Sequence, residues 1–190
     1  MTKITNKKII IFMPSMDGGG VEKNIILISN YLVKKFTYLT LITYNRKFNE
    51  NFNKKIIIRN FTNNKVSKVG KYFKYFVCLL ILLRELILNK NCLVLSFQAN
   101  IYALILCKIL KKKIIIRSNS SPSGWTKNSF KNLIFKFFFK YAKSIIVNSK
   151  DFKREVDLKF NIRSVLIYNP LNKNEIIKKS KTKIKNLFFS

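Results

Sequence analysis

The sequence predicts an α/β protein built on a doubly wound parallel sheet. Short, β-branched apolar runs recur along the chain, and segments with helical apolar spacing separate them. Continuous apolar runs suit strands covered on both faces, and a regular strand–helix alternation is what parallel crossovers require.

Residues 8–13 are the first such run, and they lead through Pro14 into a glycine turn, Gly18-Gly19-Gly20. Residues 20–35 follow with Ile25, Ile28, Leu32 and Val33 on one helical face and Lys23, Asn24, Lys34 and Lys35 outside it. Strands are expected at 38–44 and 55–59, a polar loop at 60–67 and a long helix at 69–88. A strand at 92–96, a helix at 99–110 and a strand at 113–117 come next, ending in a Ser- and Pro-rich loop at 118–124. Helices at 130–143 and 150–160 alternate with strands at 144–147 and 164–168. This order is Rossmann-like. Residues 1–170 therefore make one domain. Residues 171–190 read as a basic linker or exposed helix, and the apolar run at 186–190 as the first strand of a truncated second domain.

The surface is strongly cationic, with 38 Lys+Arg against 8 Asp+Glu and a formal charge of +30. Lys, Asn, Ile and Phe are abundant together, as AT-rich coding produces, but an anionic partner explains the same charge. At about 1 kcal/mol for each basic residue near an anionic leaflet, a few suffice for attraction. Nucleic acid is disfavoured, because the aromatics lie within apolar runs instead of alternating with Lys on a sheet face. Cys78, Cys92 and Cys107 sit in apolar runs without a CxxC pair, and with 0 His the chain offers no metal site. The apolar stretch at 76–83 is broken by Arg84 and Glu85, short of the roughly 20 apolar residues a spanning helix needs.

In open parallel sheets ligands bind at the carboxyl ends of the strands. Two loops lie there. In the first, Gly18, Gly19 and Gly20 let a ligand approach the backbone at a helix start, or else form a plain tight turn with Asp17 as the helix cap. The spacing is not GxGxxG, no acidic residue ends the second strand, and GK[ST] is missing, so NAD and Walker-type nucleotide binding are disfavoured. In the second loop Arg117 suits a phosphate or carboxylate, and Asn119 and its serine neighbours suit sugar hydroxyls. Lys111 to Lys113 lie at the far end of that strand and read as a solvated charge run. In the segment 130–143, Phe130, Ile134, Phe137, Phe138 and Tyr141 share one arc, and Lys136, Lys140 and Lys143 the opposite one. Phe135 and Phe139 flank the lysine arc, so the segment is either a core helix with lysines outside or a membrane-facing one.

Gly18-Gly19-Gly20-Val21-Glu22-Lys23, between a strand and a long helix, resembles the start of family 4 glycosyltransferases of the GT-B fold. So do Leu95-Ser96-Phe97 with Asn100, and Arg117-Ser118-Asn119-Ser120 one strand later. Ile146-Val147-Asn148-Ser149 and Ile167-Tyr168-Asn169-Pro170 are similar to the landmarks that close the N-terminal domain of that family. The resemblance implies an acceptor-side half, with Gly18 to Gly20, Arg117 and Asn119 facing a cleft and catalytic residues unassigned. It also implies a nucleotide-sugar donor held by a missing C-terminal half or split partner, and a lipid-linked or glycan acceptor. The unpaired cysteines suit a reducing cytoplasmic position, and the basic charge suits contact with an anionic membrane there. The family's E-x7-E motif has no counterpart in these residues, so this chain alone is expected to be inactive.

Overall fold

A computed structural model describes residues 5–62, 69–119, 129–171 and 173–180. Seven parallel strands form one sheet in the order β3-β2-β1-β4-β5-β6-β7. They are β1 (Thr5–Phe12), β2 (Phe36–Thr43), β3 (Ile57–Asn60), β4 (Cys92–Ser96), β5 (Lys113–Ser118), β6 (Ser144–Val147) and β7 (Val165–Leu166). The helices are α1 (Gly20–Leu32), α2 (Lys71–Leu88), α3 (Asn100–Ile109), α4 (Ser129–Phe139), α5 (Lys150–Phe160) and α6 (Lys173–Ser180). The expected alternation is therefore present, with β7 shorter than expected. Ile167 N still donates to Val147 O at 2.9 Å, continuing the pairing past the end of that edge strand.

The alternating side chains of the strands feed two cores. Ile9, Ile11, Leu39 and Leu41 pack under α1 through Ile25 and Val33. Ile10, Phe12, Val94, Ile114 and Val147 pack on the opposite face against α2, α3, α4 and α5. The three cysteines are free thiols inside that second core. Burial pushes Cys78 and Cys107 up to about 12, so they behave as packing groups and not as nucleophiles.

Helix α4 departs from expectation in its end and its orientation. It stops at Phe139, because Lys143 N must donate to Ile114 O (2.8 Å) to start β6 beside β5. Its buried side is the one carrying Phe135 and Phe139: Phe139 is 2% exposed, and both rings pack on Phe160. Phe137, expected on the core arc, is 50% exposed, and Tyr141 is exposed too. Lys136, Lys140 and Lys143 are exposed as expected, but Lys140 and Lys143 lie in the turn beyond the helix. At the far end of β5, Lys112 Nζ donates to Asn89 O and Lys90 O, both at 3.0 Å, so it anchors the α2–β4 connection while Lys111 and Lys113 remain exposed. The expected strand at 186–190 lies outside the described residues, and part of the segment after 170 is helical as α6.

One buried acid ties two strands of the sheet to α2. Glu85 on α2 accepts from Lys8 Nζ (3.0 Å) on β1 and from Arg59 Nε (3.1 Å) on β3. Burial opposes its charge, but the Lys8 hydrogen bond and the Arg59 charge outweigh it and hold the pKa below the ordinary 4.5. A depressed carboxylate stabilises the fold above its unfolded pKa, and that contribution is lost as pH falls through the folded value. Glu85→Gln should cost about 3 kcal/mol, the low end for a broken buried pair because Arg59 is half-exposed. Thermal denaturation from neutral pH down to about pH 3 should show a shallower acid-side loss in the variant than in the wild type.

Candidate functional site

The strand order reverses between β1 and β4. The chain leaves β1 toward α1 on one face and leaves β4 toward α3 on the other. Loops that diverge from adjacent strands leave a crevice between them. Here it is a cleft of about 460 Å³ whose lining includes Met13, Glu22, Lys71, Phe97, Gln98, Asn100, Arg117, Ser118, Asn119, Phe135 and Phe139.

Side chains fasten the rim. Ser15 N donates to Gln98 Oε1 (2.8 Å), joining the loop after β1 to the loop after β4. Asn119 Nδ2 donates to Phe97 O and Asn100 Nδ2 to Arg117 O, both at 3.1 Å, joining the loops after β4 and β5. Ser96 Oγ lies 2.7 Å from Asn100 Oδ1 and fixes that amide. Ala99, with φ 54, makes the left-handed turn that starts α3. Asn119 Oδ1 is buried without a partner among the described residues, which leaves an acceptor for a ligand hydroxyl.

The glycine turn stands at the border of this cleft: Val21 and Glu22, directly after it, are part of the lining. Gly18 has φ +102, a conformation L residues rarely adopt, and a Cβ there would lie 3.4 Å from the Phe48 ring. Gly20 is different, because a Cβ there would meet nothing within 4 Å. Asp17 does not cap α1. The cap position is Gly19, without a side-chain bond, while the Asp17 carboxylate takes hydrogen bonds from Ser15 Oγ (2.5 Å) and Lys74 Nζ (3.2 Å). The Ser15 bond chiefly, then Lys74, lowers its pKa against the opposing effect of burial. Lys47 Nζ closes the same turn on Asp17 O at 2.9 Å.

Arg117 lines the cleft but is only 2% exposed. Its Nη2 donates to Ile167 O (3.2 Å) and Asn169 Oδ1 (2.9 Å), and its Nε is buried without a partner among the described residues. Burial pulls its pKa down from the ordinary arginine value, and among the described residues no carboxylate is in ion-pair contact with it. The Ile167-Tyr168-Asn169-Pro170 landmark thus holds the arginine at the rim. The roles of Gln98, Ser15 and Lys74 leave no mark in the sequence, since each depends on a partner far along the chain. A polar loop straight after a buried strand was the one available hint for Gln98. Lys136, Lys140 and Lys143 are not among the residues lining the cleft.

Replacing Gly18 with Ala should cost about 1–3 kcal/mol of stability through backbone strain. Gly20→Ala should cost nothing measurable, and chemical denaturation of the two variants side by side checks the contrast.

No family model and no curated protein matches the chain. Solved structures do. Anabaena Alr3699/HepE in complex with UDP superposes with a TM-score of 0.63 at 14% identity, over 88% of this chain and 45% of that one. Phytolacca americana UGT2, complexed with UDP-2fluoro-glucose and pterostilbene, gives 0.58 at 8% identity over 90% and 56%. The UDP-GlcNAc 2-epimerase of Methanocaldococcus jannaschii gives 0.58 at 14% identity over 85% and 45%. The chain thus spans about half the length of these proteins, and it has the Rossmann-like fold of one half of a GT-B protein.

Proposed function

We propose that this chain is the acceptor-side, N-terminal half of a family 4-like glycosyltransferase. In this proposal residues 1–170 form that half and residues 171–190 lead into a donor-binding half. The whole enzyme takes a sugar from a nucleotide-sugar and passes it to a lipid-linked or polysaccharide acceptor in cell-envelope glycan synthesis. The observation that carries the proposal is the cleft at the strand switch, floored by aromatic rings and rimmed by amides. Aromatic faces suit the C–H faces of a sugar, and amides suit its hydroxyls.

The chemistry divides between the halves. Transfer with retention depends on stabilising charge on the departing diphosphate more than on a strong base. The acceptor side has to bind and orient the attacking hydroxyl. Asn119 and Asn100 supply hydrogen-bonding groups for that purpose. Arg117 braces the loop that carries Asn119 and offers its Nε toward an anionic or hydroxyl group. Glu22, beside the glycine turn, favours hydroxyls over phosphate at that point, which supports Gly18, Gly19 and Gly20 as an acceptor-side border.

Purified as these 190 residues, the chain should release no UDP from UDP-glucose, and turnover by it alone would contradict the proposal. In saturation-transfer NMR against a panel of mono- and disaccharides, at least one sugar should give signal. Asn119→Ala should weaken that binding about tenfold, as loss of one hydrogen bond at an enclosed polar site implies. A panel that stays silent while UDP binds would reject the acceptor-side assignment.

A further inference from the structure

The outer side of α2 and α3 is apolar where a solvated helix should be polar. On α2, Tyr72, Phe76, Leu80 and Ile87 recur at helical spacing and are exposed, with Phe76 at 59%. On α3, Tyr102 and Ile109 are exposed, Ile109 at 69%. Between the two helices lies a groove of about 250 Å³ lined only by apolar and aromatic side chains, with Leu79, Leu83, Ile105 and Leu106 among them. Leu80 and Leu83 also line the next hollow toward Ile87 and Leu88, so the strip continues along α2. A contiguous apolar surface of this kind marks an interaction site.

The charge around the strip is of one sign. Arg84 and Lys108 flank it on α2 and α3, and Lys136 and Lys140 are exposed on α4 and its following turn. Lys108 Nζ lies 3.8 Å from the centroid of the Tyr141 ring and 4.5 Å from that of Phe137, linking the strip to the exposed aromatics beside α4. Helices α3 and α4 contain no acidic residue, and the one acid of α2, Glu85, is buried against Lys8 and Arg59. No helix among the described residues is long and apolar enough to cross a membrane.

We propose that the α2–α3 face docks this protein on an anionic bilayer surface, with the apolar strip seated at the headgroup boundary and Arg84, Lys108, Lys136 and Lys140 against the lipid phosphates. Apolar and aromatic side chains beside unopposed cations form the pattern of interfacial helices. Tyr72 and Tyr102 bring ring and hydroxyl to the same boundary. A second copy of this chain fits poorly, because self-association through the face would press cations together without a carboxylate between them. The docking does not depend on the sugar-transfer proposal. It adds to that proposal a location for the cleft, because Lys71 and Ile101, near the amino ends of the same two helices, line it.

Vesicle flotation of the full chain tests the docking. The protein should float with phosphatidylcholine vesicles containing about one-third phosphatidylglycerol, remain behind with phosphatidylcholine alone, and bind less as salt rises. The variant Phe76→Gln/Leu80→Gln/Ile109→Gln should lose at least about tenfold in binding while its circular dichroism stays unchanged. Arg84→Gln/Lys140→Gln leaves the apolar groups in place and should also weaken binding to the anionic vesicles; it decides the matter if the triple variant fails to fold. Tyr31→Gln/Lys34→Gln, on α1 and the turn after it, should float as the wild type does. Full binding by either α2–α3 variant, or equal flotation with both lipid mixtures, would overturn the proposal. So would a dimer in size-exclusion chromatography that the triple variant turns into a monomer, since the face would then belong to a second copy.

Discussion

Much of this molecule depends on the parting of two neighbouring strands. β1 and β4 are paired from Lys8 with Cys92 to Phe12 with Ser96. Beyond that register the chain must turn to opposite faces, and the ladder closes with Phe97 N donating to Phe12 O at 3.0 Å. Past this point a backbone ladder can no longer hold the edges together, so side chains take over. The Gln98 amide reaches Ser15 N, and the Asn119 amide reaches Phe97 O. Each bond satisfies a backbone group that the parting loops would otherwise leave unpaired. The cleft is the space that these bonds keep open at a fixed width.

Scarcity of carboxylates shapes the rest. With 8 acids against 38 bases, three of those acids serve as internal fasteners. Glu85 ties β1 and β3 to α2, Asp17 binds the glycine turn to Lys74, and Asp157 holds both Lys153 and Ser164 N. Arg117 is buried beside neutral oxygens instead, a carbonyl and an amide. Neutral acceptors offset the desolvation of a cation less fully than a carboxylate does. Among the described residues its Nε also has no partner, so the burial of this cation is only partly offset. On the outside, the surplus cations create a field that no acid on α3 or α4 reduces.

The strands were legible because parallel strands covered on both faces read as continuous apolar runs, such as Ile9 to Phe12 or Ile114 to Ile116. The carboxyl-edge position of the glycine turn and of Arg117 was also legible, since the alternation fixes which end of each strand a loop follows. Arg117 itself, expected in the loop, is the fifth residue of β5 and pairs with Ile146. The rotation of α4 was not. Its sequence is apolar nearly all round, so periodicity cannot choose between Phe137 and Phe139, and the contact with Phe160 on α5 decides it. The partner of Asp17 was equally hidden. Three residues before α1 its position suggests a cap, but Lys74, 57 residues away, offers a charge that competes with the helix amides. Long-range partners of single polar groups leave no periodic trace.

The grip on Arg117 gives the edge of the sheet a consequence for whatever covers the cleft. Ile167 and Asn169 lie just after β7, where the chain leaves the sheet, and both are fastened to a residue of the cleft lining. A change in the direction of that exit would therefore pull on Arg117, and through Arg117 O on the Asn100 amide. Side-chain amides held at about 3 Å on both sides tolerate little displacement before the bond is lost. A lobe attached through this segment, or a partner docked against it, would thus be coupled to the width of the cleft by two residues. Arg117 is then better understood as the joint between the exit of the domain and its binding rim than as a free anion hook.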